Sequence, residues 1–278
     1  MKLLLAIALL LLSSFTAAKD SPPAFTVFTG SVRGTYYAFA EDIRRACPSI
    51  PISIVATDGS TDNLNRLVQP SNGTNRIGFS QLDAVQGLSP SEASIARLQT
   101  VLQMYNEDVS VLVNLGSNIK TISDLRGKRV AIGQPGSGVW YSSSYIRRLL
   151  NIDWIAVEQG NDEALLSLLL GEVDAIFLIT GHPSRLLNDL PKSVERRVGL
   201  INLSTLSSRS HFAASVLPAN TYPWQSSSVE LVAVRSVLMA ASDVSPAALK
   251  ALTTCIKQAE PELKKWGHPK WSEINLAK

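Results

Sequence analysis

The sequence predicts an α/β protein of two lobes around a cleft, and three observations predict it. Of 278 residues the first 18 read as a removable leader, and the 260 that remain exceed one core of ordinary size. Short apolar strands alternate with helical stretches, the rhythm of a parallel sheet covered by helices. That rhythm starts twice, each time at a glycine-bearing turn from strand to helix.

The leader is expected over residues 1–18: Lys2 supplies a positive start, residues 3–12 an unbroken apolar run, and Thr16-Ala17-Ala18 the small residues before a cut. The run is about half the length that spans a bilayer. No cysteine stands in or just after it to take a lipid, so the mature chain is expected to be exported and free in the periplasm.

A strand is expected over 25–29, then a turn through Gly30 and Gly34, and a helix over 36–47 with Tyr36, Phe39, Ala40 and Ile43 on one face, ended by Pro48. A strand over 52–56, a turn at Asp58-Gly59-Ser60, a helix over 62–68 and a strand over 76–79 follow. Residues 101–104 and 109–115 read as two strands joined by a polar turn at Asn106 to Asp108. The second round begins with a strand over 129–133, a loop over 134–138 and a helix over 140–150. It continues through strands over 155–157, 175–179 and 200–203 and a helix over 162–170. Residues 230–240 suit a return strand, and 246–265 a last helix containing Pro261. Lobe one is thus expected over 24–115 and 228–278 and lobe two over 116–227, with crossings near Val113 and Val229.

Composition excludes several classes. A net charge of +3, with no basic run interleaved with aromatics, gives no reason to expect nucleic acid. The apolar runs at 165–170 and 175–179 are broken by Gly171, Glu172 and Asp174, which a bilayer interior penalises. Cys47 and Cys255 permit one disulfide in an oxidising compartment, or stay as two buried thiols; without CxxC spacing, and with three histidines, no metal site is expected.

Enzyme motifs fail in detail. Gly133-Gln134-Pro135-Gly136-Ser137-Gly138 lacks the Gly-Lys-Ser/Thr ending of a phosphate loop, and its glycines are out of order for a dinucleotide fingerprint. Ser137 lies in Gly-Ser-Gly, not in a nucleophile elbow, and His182, His211 and His268 are each isolated. No catalytic residue or cofactor is expected; a hydrolase assembled from residues distant in sequence stays open. Two facing sheets would instead line a cleft with helix N-termini, whose free N–H groups attract anions without any basic side chain.

Residues 28–37, Phe-Thr-Gly-Ser-Val-Arg-Gly-Thr-Tyr-Tyr, resemble the glycine-rich opening of the TAXI family, solute receptors of TRAP transporters. Similar stretches follow in family order: residues 56–64, 77–83, 124–138, 171–175, Gly181-His182-Pro183 and 217–223. The resemblance implies a type II periplasmic-binding-protein fold that traps a small, typically carboxylate-bearing solute by lobe closure. It implies delivery to a TRAP-type membrane permease, and the receptor is expected to be a monomer. A binding protein that carries an apolar ligand or serves a sensor is the alternative.

The expected ligand contacts are Gly30, Ser31, Gly34, Thr35, Tyr36, Gly59, Ser60, Gln81, Gly136, Ser137 and Gly138. Phe177, Thr180, His182 and Tyr222 are expected on the far side. Thr35, Ser60 and Ser137 are also placed to cap the helices after them, and the glycines to permit tight turns. Ser31 and Arg33 stand where the family has glycine; Arg33 either grips a carboxylate with both guanidinium nitrogens or is an exposed loop residue. Val139 and Trp140 replace polar residues and would add an apolar wall, or pack in the core.

Overall fold

The computed structural model describes residues 24–70, 73–88 and 92–276; the leader expected over 1–18 lies outside them. Among the described residues there are ten strands and eight α-helices, which alternate through most of the chain. The first round comprises β1 (Phe25–Phe28), α1 (Thr35–Ala46), β2 (Ile52–Val55), α2 (Ser60–Leu67), β3 (Asn75–Gln81), α3 (Leu82–Leu88) and the long β4 (Gln99–Asn114). The second comprises β5 (Arg129–Ala131), α4 (Gly138–Leu150), β6 (Ile155–Val157), α5 (Asn161–Leu170), β7 (Ala175–Thr180), α6 (Arg185–Asn188), α7 (Lys192–Glu195), β8 (Val198–Leu200) and β9 (Ala213–Leu217). The return strand β10 (Val229–Ala240) and α8 (Pro246–Trp266) close the chain.

The strands run in the order β2-β1-β3-β10-β4-β7-β5-β6, with β8 on β4 and β9 on β10. β1 pairs in parallel with β2 and β3, and β5 with β6 and β7, as two strand–helix–strand rounds require. β4 and β10, antiparallel to each other, join the halves. At 16 residues, β4 is about 50 Å long, enough to enter both.

Two hydrophobic cores result. One gathers Phe25, Phe39, Ile43, Leu64, Ile77, Phe79, Tyr105, Leu252 and Trp271; the other gathers Val111, Val130, Ile146, Trp154, Leu168, Ile176, Phe177 and Leu203. Each fully buried large apolar side chain contributes about 1.5–3 kcal/mol. α1 turns Tyr36, Phe39, Ala40 and Ile43 inward at helical spacing, and Phe39 stacks between Tyr105 and Trp271. α5 ends at Gly171, whose φ of 77° suits glycine.

The polar turn expected at Asn106–Asp108 does not form. β4 passes straight through it, and Glu107 and Asp108 are each 3 % exposed. The side chains change core there, between Tyr105 and Val109 on β4 and between Val234 and Val237 on β10. Of the residues near which crossings are expected, Val113 is buried in the second core and Val229 packs against it. Three polar residues mark the gap between the cores, not a reversal of the chain.

Cys47 and Cys255 form a disulfide that ties the end of α1 to α8 across 208 residues of sequence. Closing so long a loop restricts the unfolded chain strongly. Replacing both cysteines by alanine is expected to lower the unfolding free energy by about 2–5 kcal/mol in chemical denaturation. Reductant should give the same loss in the parent chain and none in the variant.

Candidate functional site

Between the cores lies a cleft enclosing a cavity of about 120 Å³. A cavity of that order has room for a small organic solute. Four helices begin on its walls: α1 at Gly34–Tyr36, α2 at Gly59–Ser60, α4 at Ser137–Val139 and α5 at Gly160–Asn161. First-turn amides have no intrahelical acceptor. At α1, α2 and α5 the N-cap is glycine, and no side chain caps the turn. Away from the cleft, α8 is capped by the Ser245 side chain accepting from the Ala248 amide. The cleft thus keeps three helix N-termini free of side-chain caps at their positive ends, although at α2 the Asp62 amide is taken by the Gly136 carbonyl.

Thr35 and Ser60 therefore stand one residue inside their helices and do not cap them, contrary to expectation. The Thr35 hydroxyl crosses the cleft to Thr180 Oγ1 (2.9 Å) and the Gly181 carbonyl (3.1 Å). Ser60 Oγ accepts from the Gln81 amide at 3.1 Å. Ser137 does cap α4, accepting from the Trp140 amide at 3.0 Å while donating to the Gln134 carbonyl at 2.7 Å.

Gly30, Ser31, Gly34, Thr35, Tyr36, Gly59, Ser60, Gln81, Ser137, Gly138, Val139 and Thr180 come together on the cleft walls. Six expected residues do not. Arg33 is not on these walls but lines an adjoining pocket, where it pairs with Asp162 (2.7 Å) and Asp189 (3.6 Å) of the second lobe. Gly136 shapes the turn with a φ of 96°, and its carbonyl accepts from the Asp62 amide at 2.9 Å. Trp140 packs beside the second core and donates to Glu158 at 2.9 Å. Phe177 packs on Trp154 inside that core. Tyr222 is buried there too, bonded to the ring of His182 and accepting from the Ser184 amide at 2.8 Å. Burial pushes His182 down to about 4 and Tyr222 up to about 12.

The lining also includes residues not read from the sequence: Thr57, Asp58, Glu107, Gly133, Gln134, Gly160, Asn161 and Ile179. Thr57, Asp58, Gly133 and Gln134 lie in turns already marked by glycine. Glu107, within the segment misread as a turn, carried no signal. It sits on the cleft floor, and its Oε2 accepts from the Tyr36 hydroxyl at 2.6 Å. Desolvation raises its carboxyl from 4.5 to about 8, aided by Asp83 and Asp108 and opposed by the Tyr36 hydrogen bond and Lys270. Burial and the Glu107 charge hold the Tyr36 phenol well above its usual range.

The lobes touch across this cleft. Besides Thr35–Thr180 and Arg33–Asp162, Gln134 donates to Asp58, and Ser142 donates to Gln81 Oε1 (3.1 Å) and Asp83 Oδ2 (2.7 Å). A Cβ on Gly138 would lie 2.4 Å from Gln81 Oε1 and 2.6 Å from Ser60 Oγ, so a larger residue would have to displace these side chains where α4 meets the first lobe.

The NMT1-like family model matches residues 27–278. The chain belongs to the NMT1-like family. Solved structures similar to this NMT1-like protein include MatC from Rhodopseudomonas palustris with bound malate, at 17 % identity and a TM-score of 0.57, covering 87 % of this chain and 85 % of that one. Another is the GluR0 ligand-binding core from Nostoc punctiforme in complex with L-glutamate, at 15 % identity and a TM-score of 0.53, covering 88 % and 99 %. A third is an arginine transport system periplasmic binding protein from Legionella pneumophila, at 13 % identity and a TM-score of 0.57, covering 92 % and 100 %. At such identities the likeness is one of fold, and that fold is two-lobed.

Glu107 makes stability depend on pH. Its folded value lies above its unfolded one, so its contribution is complete below about pH 4.5 and is lost as pH rises through about 8. His182 and His268, held down to about 4 by burial, act in the opposite sense, losing their contribution as pH falls from about 6.5 through 4. The melting temperature of the ligand-free chain minus that of Glu107→Gln is expected to fall steadily from pH 5 to pH 8. A difference that is flat with pH would show Glu107 ionising in the ordinary carboxylate range.

Proposed function

We propose that the protein is a periplasmic solute receptor that traps a small carboxylate-bearing solute between its lobes and delivers it to a membrane permease. The observation that carries this reading is the convergence of four helix N-termini, three of them uncapped, on one small interlobe cavity. Unbonded amides at positive helix ends are an anion site. Hinge closure follows as the mechanism: a solute that contacts both lobes stabilises the closed form by its differential affinity.

Within this reading lobe one comprises residues 24–107 and 236–276, and lobe two residues 108–235, the division that the change of cores on β4 and β10 supports. The receptor works as a monomer. A cleaved signal over residues 1–18 exports it, and the Cys47–Cys255 disulfide accords with an oxidising compartment. The order of glycine-rich motifs supports membership of the TAXI group, whose partner is a TRAP-type permease. The malate bound by the R. palustris neighbour accords with a carboxylate solute. Binding without turnover is favoured because the Ser137 hydroxyl is engaged on both sides by backbone groups. An apolar cargo is disfavoured by walls whose aliphatic side chains are Val139 and Ile179, among glycines, hydroxyls, amides and carboxyls.

Native mass spectrometry of the purified chain is expected to reveal a co-purifying carboxylate of few atoms. Gly138→Ala, whose added methyl must displace Gln81 and Ser60 at the contact between the lobes, is expected to weaken that solute's binding by about tenfold or more and to enlarge the radius of gyration with solute present. Equal affinity and equal compaction in the variant would contradict binding by closure.

A further inference from the structure

The proposed receptor role leaves open what the far end of the solute carries. Glu107 is 3 % exposed yet lines the cavity. One of its oxygens, Oε2, accepts from Tyr36, and no hydrogen bond of the described residues reaches the other, Oε1, on the cavity side. Asp58 lines the same cavity, and among the described residues no lysine, arginine or histidine does. The nearby cations are engaged elsewhere, Arg33 with Asp162 and Asp189, and Lys270 with Asp108 (3.1 Å) and Glu273 (2.7 Å). One side of this small space therefore offers helix amides that suit an anion, and its floor offers a half-satisfied carboxyl that suits a cation.

We infer that Glu107 is the specificity-determining residue of the cleft, and that the solute it selects is a zwitterion carrying an ammonium group as well as a carboxylate. The inference rests on the receptor reading and deepens it. A second carboxylate set against Glu107 has no cation to compensate it, so it can be held only while Glu107 keeps its proton, and its binding weakens as pH rises through about 8. An ammonium instead gives Oε1 its missing donor and an opposite charge in a desolvated place, where a charge-assisted hydrogen bond is strong. It also replaces the proton that burial holds on Glu107 at neutral pH. The groups that bear on Glu107 are Tyr36 from α1, Asp83 from α3, Tyr105 and Asp108 from β4, and Lys270 near the C-terminus. Tyr36 and Tyr105 are held neutral, each with its phenol raised well above the usual range by burial. Binding of an ammonium should therefore release up to one proton, and affinity should rise from pH 6 to pH 8.

The test is calorimetric titration with solutes matched in all but one group: L-aspartate against L-malate, and L-glutamate against 2-oxoglutarate. Titrations are made at pH 6 and pH 8, in two buffers of different ionisation enthalpy. The amine of at least one pair is expected to bind about tenfold or more tightly than its partner, more tightly at pH 8, and with proton release. Glu107→Gln should shrink that preference to about twofold or less. A hydroxy or keto acid that binds as well as its amine, or a preference that survives in Glu107→Gln, overturns the inference and leaves the receptor reading standing. Silence of every solute, with no small molecule co-purifying, counts against both. Should Glu107→Gln fail to fold, the pair preference and proton release of the parent chain still decide.

Discussion

Peptide amides at the start of α1, α2, α4 and α5 face one gap between two lobes, and three of those helix starts lack the side-chain cap found at α8. Such amides require an acceptor, either water or a guest. The rest of the structure can be seen as what holds them in place. Parallel strands β1–β3 and β5–β7 point their carboxyl ends, and so the helix starts that follow, at the same space. Glycine at Gly138 lets the two lobes approach closely enough to make that space small, and Gly59 supplies the φ of 115° that its turn requires.

The long strands β4 and β10 set the other half of the arrangement. Because both run unbroken from one core to the other, residues at the crossing are buried without belonging to either core. Glu107 and Asp108 occupy that position, and their fates differ. Asp108 is bonded to Lys270 and Ser215, an ion pair behind the cleft. Glu107 has one phenol donor and faces the cavity. Anion-seeking amides and a cation-seeking carboxyl are thus two products of one topology.

Much of this was legible in the sequence, for a physical reason. Glycine at strand-to-helix turns, as at Gly30, Gly34, Gly59 and Gly138, reports a backbone requirement that survives whatever the neighbours do, so these wall segments were found directly. Side chains whose role depends on distant partners were not. Arg33 read as either a carboxylate grip or an exposed loop residue, because Asp162 and Asp189, its actual partners, lie far along the chain. His182 and Tyr222 share a motif-like neighbourhood with the cleft, but their bond to each other draws them into the second core. Asn106-Glu107-Asp108 has the composition of a turn, and only the pairing of β4 with β10 and β7 shows it to be continuous strand.

The central claim is that the uncapped helix amides hold the solute's carboxylate. Amide hydrogen exchange, resolved by NMR at Thr35, Ser60, Gly138 and Asn161 with and without the tightest-binding solute, tests it most directly. Exchange is expected to slow at these positions in both lobes together. Unchanged exchange there, with protection appearing instead at the Arg33 rim or in one lobe alone, would contradict the account.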